Sequence, residues 1–497
     1  MSAIRRYHDY VRFATQGGII RIPLNSPKVI GVANSRGNRS HQEDFYAYAT
    51  LSLNSEELRL SNKKALGINW DPSKVGDAFS GQVTFIGIYD GHGGSAVSQY
   101  LRQELHGIFE SVDKAAIPEL FAWAKELGGY FRRFRGGALA PWVISTENTP
   151  ALDLEARATE AFFEVDRSLS SDPVSQSCGA TASVVLLHSL DAPATPFFSS
   201  EKLVVTVAHC GDTRVLLCSV NAGRVVPMTE THHADAHVES IRLRRMMGAS
   251  LITDSFGESR WMGALANTRC LGDLRFKKYG VTPEPQVQTK LLDGKDWAYI
   301  VLVSDGVSSV LSDAEVVDLA RGARDPKAAA ESILAFAQEL GGEDNATVIV
   351  VPLAGWGQIV GPDATKDLRE YRRQQAEFQK IQGELSIAVE ARQRLDAQLS
   401  ENELVRKEFA LLTPENKVFK MVGPVLMKQD QTEAKNNVET RLEFIRSEIK
   451  RVEIQLQDIQ GKQEKKKLEI IEIQTALQQL QTQQVPKPVQ NSGILAT

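Results

Sequence analysis

Four short acidic clusters are spread along the chain: Glu43-Asp44, Asp90 in Asp90-Gly91-His92-Gly93-Gly94, Asp305 in Ser304-Asp305-Gly306, and Asp344 in Glu343-Asp344-Asn345. Three of them adjoin short apolar runs that read as buried strands, Phe85–Tyr89, Tyr299–Val303 and Thr347–Val351. Carboxylates at buried strand ends are costly unless something neutralises them. Hard divalent cations do so, because they prefer oxygen ligands. Two such ions about 4 Å apart polarise a phosphoryl group and lower the pKa of a shared water. Asp90 is the natural bridging ligand, since Gly91 lets the backbone approach a metal closely. Glu43, Asp305 and Asp344 would complete the shells, with Asp44 counted beside Glu43. Arg39 precedes Glu43 by four residues and can grip a phosphate with two nitrogens. His92 would protonate a leaving alkoxide.

These residues need a scaffold of strands, and the composition before about residue 355 supplies one. Ala182–Leu187, Leu203–Ala208, Arg214–Ser219 and Tyr299–Val303 read as strands. Ser95–Phe109, Asp153–Leu169, His237–Met247, Asp313–Ala320 and Pro326–Leu340 read as helices. Strands and helices without strict alternation predict a layered α+β domain. Ala354–Lys366 carries Gly355, Gly357, Gly361 and Pro362 and reads as a linker. Beyond it, Phe378, Ile381, Leu385, Ala388, Arg392, Leu395 and Leu399 follow a 3-4 spacing. So do Val438, Leu442, Ile445, Ile449, Val452, Leu456 and Ile459, then Ile470, Ile473, Leu477 and Leu480. That is a coiled-coil seam. Between the two series, Val418–Val422 and Val425–Lys428 flank Gly423-Pro424 as a strand pair. The expected division is an N-terminal segment 1–28, a catalytic domain 29–353, a linker 354–366, a coiled-coil domain 367–484 and a disordered tail 485–497.

The 497 residues exceed one ordinary core. A net charge of −5 gives no general reason to expect nucleic-acid binding. The four cysteines, Cys178, Cys210, Cys218 and Cys270, form no CxxC pair. They fit a reducing compartment and buried thiols rather than a disulfide framework or zinc site. No apolar run approaches the length of a membrane span. The expected location is the cytoplasm. Arg5, Arg6, Arg12 and Arg21 leave a mitochondrial leader as the alternative.

Taken in order, the motifs resemble those of the metal-dependent protein serine/threonine phosphatases of type 2C. They are Arg39-Ser-His-Gln-Glu43-Asp44, Tyr89-Asp90-Gly-His-Gly-Gly94, Cys178-Gly-Ala-Thr-Ala182, Gly211-Asp-Thr-Arg214, Thr268-Arg-Cys-Leu-Gly-Asp273, Ser304-Asp-Gly306 and Glu343-Asp-Asn345. The match spans roughly Val29–Leu353. The resemblance implies a four-layer α-β-β-α sandwich of two antiparallel sheets, with a site for two Mg²⁺ or Mn²⁺ ions at one end. It implies that Asp90 bridges the ions, that Gly91 binds through its carbonyl, and that Glu43, Asp305 and Asp344 complete the site. Arg39 would grip phosphate and His92 would be the acid in hydrolysis of phosphoserine or phosphothreonine by a metal-activated water. Asp273 reads as structural rather than as a ligand. Gln176 and Ser177 stand where some members carry an acid for a third, weaker metal, so only two ions are expected. Leu51–Gly81 and Ser111–Pro150 read as insertions, and Arg132, Arg133 and Arg135 as a solvated face. His233 and His237 have helical spacing, but no Glu sits beside His233 as a zinc-protease helix needs. His232, His233 and His237 therefore read as part of a flap bordering the site.

The C-terminal part resembles a β-type prefoldin subunit, prefoldin subunit 6 in particular. The resemblance rests on Leu399-Ser-Glu-Asn402, Val418-Phe-Lys-Met-Val-Gly-Pro-Val-Leu-Met-Lys428, Arg441-Leu-Glu-Phe-Ile445 and Glu448-Ile-Lys-Arg451. It implies a helix–β-hairpin–helix antiparallel coiled coil whose hairpin joins other prefoldin subunits and whose helix tips hold unfolded client chains. The expected function is a Mg²⁺/Mn²⁺-dependent protein phosphatase, acting on phosphoprotein substrates and carrying a chaperone-like module. The alternative is a prefoldin-complex subunit whose phosphatase-like domain is an inert scaffold.

Overall fold

The computed structural model describes residues 9–144, 149–243, 251–253 and 259–483. It divides into two compact units, Met1–Thr365 and Lys366–Thr497. The expected tail at 485–497 lies outside the described residues, as does the part of the expected helix beyond Leu243, up to residue 247.

The first unit is built on two antiparallel sheets. One runs Gln286–Asp293, Lys202–Cys210, Gly179–Ser189, Gln82–His92, Phe45–Ser52, and the two-residue strand Leu271–Gly272 pairs with the start of Gly179–Ser189. The other runs Gly31–Ser35, Ala346–Pro352, Trp297–Val303, Arg214–Ser219, Val225–Pro227. Side chains alternate across a strand, so each sheet offers two faces. Ile86, Ile88, Val185, Val205 and Val207 of one sheet meet Val215, Leu217, Ile300, Leu302 and Ile349 of the other. The opposite face of the first sheet, with Phe85, Tyr89, Val184 and Leu186, packs on Val97, Leu101, Phe109, Phe162 and Val165 of the helical layer. The opposite face of the second, with Leu216, Tyr299, Val301 and Val350, packs on Val316, Val317, Ile333 and Phe336. Burial on both faces is why these strands read as continuous apolar runs. The result is the four-layer α+β sandwich expected from the sequence.

The flanking helices start at ordinary caps. Asp153 accepts from the Ala156 N–H at 2.8 Å ahead of Leu154–Leu169. Asp325 accepts from Ala328 at 2.8 Å with Pro326 at the first helical position of Pro326–Glu339. Ser312 and Glu315 form a reciprocal capping box ahead of Asp313–Ala320. The stretch after Ser95 is helical to Ser111, with a π-helical segment at Leu101–Leu105.

Segments around this frame are also packed. A hairpin of Tyr10–Thr15 and Gly18–Pro23 leads into the core, where Val11 and Leu24 are buried. The insertion at 111–150 carries helix Ile117–Glu126 and an aromatic cluster in which Phe131 meets Phe163 edge-on at 6.0 Å. Arg132, Arg133 and Arg135 on the same insertion are exposed. Residues 354–365, read from the sequence as a linker, dock on the second sheet. Trp356 meets Tyr299 edge-on at 5.5 Å, and Arg321 donates to the carbonyls of Pro362 and Gly361, each at 2.6 Å.

The second unit is a helix Lys366–Ala410, a hairpin of Val418–Val422 and Val425–Gln429, and a helix Gln431–Gln483. Gly423, at φ 58°, makes the hairpin turn with a backbone that only glycine adopts freely. The helices run antiparallel, bridged by Lys466–Glu377 at 2.6 Å, Arg392–Glu453 at 2.8 Å and Arg446–Glu403 at 2.9 Å. Leu442, Ile445, Ile449 and Val452 are the buried seam residues. Among the described residues, no helix is long and apolar enough to cross a membrane.

One buried charge in the sandwich carries a testable cost. Glu160, on helix Leu154–Leu169, is buried with Oε2 unpartnered, and burial followed by the nearby Glu164 charge pushes its pKa up to about 8. The folded chain therefore keeps a proton that the unfolded chain gives up above about pH 4.3. The native state binds more protons between these values, so stability falls as pH rises through that window. Glu160→Gln should be more stable than the parent near pH 8, on the order of a few kcal/mol, and match it near pH 4. Urea unfolding followed by tryptophan fluorescence checks this, since all six tryptophans lie in the first unit.

Candidate active site

The ends of four strands deliver the acids to one end of the sandwich. Asp90 is near the end of Gln82–His92 and pairs across the sheet with Thr181. Asp305 opens the short helix that follows Trp297–Val303, and its N–H donates to Asp90 Oδ2 at 3.2 Å. Asp344 precedes Ala346–Pro352, and Glu43 and Asp44 precede Phe45–Ser52. Glu43, Asp90, Gly91, His92, Asp305, Asp344 and Arg39 all line one cavity of about 630 Å³. Asp44 lies beneath it, 1% exposed, accepting from the Ser304 hydroxyl at 2.7 Å.

The loop before Phe45 is held by Asn345. Its Oδ1 accepts from the Glu43 N–H at 2.6 Å, and its Nδ2 donates to the carbonyls of Arg36 at 2.8 Å and His41 at 3.1 Å. Ser98 Oγ donates to the Glu43 carbonyl at 2.6 Å. A Cβ on residue 91 would stand 2.5 Å from that carbonyl and 2.6 Å from Ser98 Oγ. Only glycine fits there.

The electrostatics are those of crowded like charges. Burial, then the charges of Asp305, Asp44 and Asp212, pushes the Asp90 carboxyl well above the usual range. Burial and the Asp212 charge push Asp305 up to about 7. Burial pushes Asp44 up to about 6, against the pull of the Ser304 hydroxyl, and its Oδ1 has no hydrogen-bond partner. Arg39 meets Asp344 at 2.6 Å from an exposed position at the cavity edge. His92 Nε2 bonds Asp273 Oδ2 at 2.6 Å. Burial works against a proton on His92, but the Asp273 bond and the Asp212 and Glu43 charges outweigh it, so its pKa lies above the ordinary value.

A family model for protein phosphatase 2C matches residues 59–346. The chain belongs to the protein phosphatase 2C family. It is 31% identical over 373 residues to protein phosphatase 2C homolog 4 of Schizosaccharomyces pombe, covering 73% of this chain and 91% of that protein. It is 27% identical over 282 residues to a mitochondrial protein phosphatase 1K of Xenopus laevis, covering 56% and 62%. A prefoldin subunit model matches residues 372–484. That part is 42% identical over 109 residues to prefoldin subunit 6 of Mus musculus, covering 22% of this chain and 86% of that protein. The chain thus joins a phosphatase 2C domain to a prefoldin subunit 6-like domain.

Three residues in or beside the phosphatase 2C cavity were given no catalytic or ligand role from sequence. Asp212 lines it directly, accepting from Asn267 Nδ2 at 2.7 Å and facing His233 at 3.5 Å. Its signal was the Gly211-Asp212 turn after an apolar run, the same pattern as the other acids. Asp273, read as structural, holds the His92 ring from a left-handed backbone at φ 49°. Asn345 is the staple just described. Among the described residues, His232, His233 and His237 form no group of convergent metal ligands. His232 is buried, accepts from the Gly211 N–H at 2.9 Å and stacks on His209 at 4.7 Å. Burial and the His209 and Arg269 charges hold it neutral, with a pKa pushed down to about 2. Thr231, His233, Arg260 and residues 264–267 form the cavity wall where a flap was expected.

Asp44 is buried and Asp90 and Asp305 are half-buried; among the described residues no side-chain cation pairs with them, and Asp44 Oδ1 lacks a donor. That donor set fits hard divalent cations. Asp305→Asn should therefore stabilise the metal-free chain by about 1 kcal/mol or more, by removing a buried like charge. The same variant should lose most of the added stability that Mn²⁺ confers on the parent. Thermal unfolding in chelator and in Mn²⁺ reads both effects.

Proposed function

We propose that this chain is a Mg²⁺- or Mn²⁺-dependent protein serine/threonine phosphatase carrying a prefoldin-like module for unfolded chains. The observation that carries the reading is the convergence of Asp90, Asp305, Asp344, Glu43 and Asp212 on one cavity beside Arg39 and His92. Asp90, Glu43, Asp305 and Asp344, with the Gly91 carbonyl, would hold two ions, and Asp44 would support them from beneath. When bound, such ions polarise the phosphoryl group and supply a nucleophilic water near neutral pH.

The chain's own residues account for the remaining steps. Arg39 is exposed and, among the described residues, pairs with Asp344, so its planar fork is free to turn onto two phosphate oxygens. His92 carries a proton favoured by Asp273 and faces the same cavity. With Nε2 held by Asp273, the ring's other proton, on Nδ1, is the one handed to the departing serine or threonine oxygen, which is a poor leaving group without it. Asp273 is a positioning residue: it fixes the ring so that a proton on Nε2 is shared along the bond, and it stabilises the cationic form.

In the second unit, Phe419, Met421, Leu426 and Met427 are at least half exposed on a two-stranded hairpin. Unpaired strand edges with apolar side chains support pairing with other prefoldin subunits. The cytoplasm is the compartment proposed, supported by four buried free cysteines.

Asp90→Asn is expected to abolish Mn²⁺-dependent release of phosphate from a phosphopeptide, at least about a thousandfold. Parent-like turnover in that variant would refute the assignment. His92→Ala should slow a phosphoserine peptide about a hundredfold or more and an activated aryl phosphate far less. Equal slowing of the two substrates would remove His92 as the acid.

A further inference from the structure

Outside the carboxylate cluster, one group of side chains has the make-up of a different metal site. The ligand atoms of His92, Cys270 and Asp273 all lie within 4.8 Å of one another. His92 Nε2 is 2.6 Å from Asp273 Oδ2, and Cys270 Sγ is 3.6 Å from the same oxygen. A four-coordinate zinc ion, with bonds of about 2.0–2.3 Å, needs ligand atoms roughly 3.3–3.8 Å apart. Shifts of about an ångström or less bring this trio to that spacing.

The surroundings give such an ion access and a fixed floor, and the ion must displace the proton that burial keeps on the Cys270 thiol. Gly179 lies against the trio, and a Cβ there would stand 2.5 Å from Asp273 Oδ2 and 2.6 Å from His92 Nε2. Any side chain at this position would push the two ligand atoms aside, so glycine is what lets the strand pass against them. His92 is 36% exposed and faces the cavity, which gives an entry route, while Asp273 and Cys270 form the buried floor. The floor is rigid. Lys277 Nζ donates to the Cys270 carbonyl at 2.6 Å and pairs with buried Asp166 at 2.7 Å, and Asp166 also accepts from the Gly272 N–H at 2.8 Å.

We propose that His92, Cys270 and Asp273 form an inhibitory site for a thiophilic divalent cation, Zn²⁺ in the first instance, separate from the oxygen-rich site above it. A thiolate, an imidazole and one carboxylate suit zinc, whereas Mg²⁺ and Mn²⁺ prefer oxygen ligands alone. The exchange balances without redox chemistry. The cation enters, the Cys270 thiol and the His92–Asp273 bond each release one proton to solvent, and water completes the coordination. A bound ion on Nε2 takes the place of the ring's second proton, so His92 is no longer a cationic acid. The inhibitory consequence rests on the phosphatase reading; the binding does not.

Co²⁺ serves as the spectroscopic probe on the full chain, with Mg²⁺ in excess to fill the oxygen site. All four cysteines lie in the first unit, so thiolate-to-cobalt absorption reports only on them. One equivalent of Co²⁺ should produce that absorption in the parent and in Cys210→Ala. Cys270→Ala and the closer isostere Cys270→Ser should lose at least tenfold of it, with unchanged circular dichroism. Zn²⁺ should abolish the signal in the parent. Zn²⁺ should also inhibit phosphopeptide turnover by the parent at least tenfold more strongly than that by Cys270→Ser, each relative to its own uninhibited rate. No thiolate absorption in the parent, or its survival in both Cys270 variants, overturns the site. Absorption that behaves as expected in a chain that hydrolyses no phosphopeptide would uphold the site and overturn the phosphatase reading.

Discussion

Buried carboxylates that repel one another are the constraint on which the rest of the first unit depends. Asp90, Asp305 and Asp44 are each raised in pKa by burial and by other acids, and among the described residues no side-chain cation pairs with them. Left to relax, such groups would move apart or pull in water. Asp90 and Asp305 are held because each sits at the end of a strand whose body is buried on both faces, and Asp44 because the Ser304 hydroxyl holds it beneath them. The stability of the two-sheet core is thus set against the electrostatic cost of its own edge. Removing that cost is what a divalent cation would contribute on binding.

The polar groups around the site are arranged to hold positions rather than to cancel charge. Asn345 pins a loop through three bonds, Ser304 supports Asp44, Ser98 fixes the Glu43 carbonyl, and Asp273 fixes His92. Neutral donors leave the net negative field intact, whereas lysines in the same places would quench it. Arg39, at the cavity edge, is exposed and tied through a single nitrogen to Asp344. Such a pair contributes little to stability, which leaves the guanidinium available to an incoming anion.

The second unit follows a different physical plan. Two long helices share a narrow seam and a ladder of bridging ion pairs, and much of their surface is exposed. Its hairpin presents apolar residues on two strands with unpaired outer edges. An arrangement of that kind is completed by other chains rather than by its own core.

Much of this was legible in the amino-acid order because the signals are local. A carboxylate beside a glycine at the end of an apolar run needs only a few consecutive residues to be recognised, as at Asp90 and Asp305. The 3-4 spacing of Leu442, Ile445, Ile449 and Val452 likewise marks a helix seam without reference to anything distant. Asp212 carries the same local pattern, but nothing nearby distinguishes it from a plain turn. What it does depends on Asp90 and Asp305, which reach it only through the sheets. The role of Asp273 depends on a bond to His92 across 181 positions, and that of Asn345 on a bond to Glu43 across 302. Residues 354–365 have the glycine and proline content of a free connector, yet Arg321 and Tyr299 hold them on the sandwich. Sequence alone determined which elements form and which side chains have the right chemistry. Tertiary structure decided which of them meet, because hydrogen bonds and charge repulsion act over a few ångströms of space, whatever the separation along the chain.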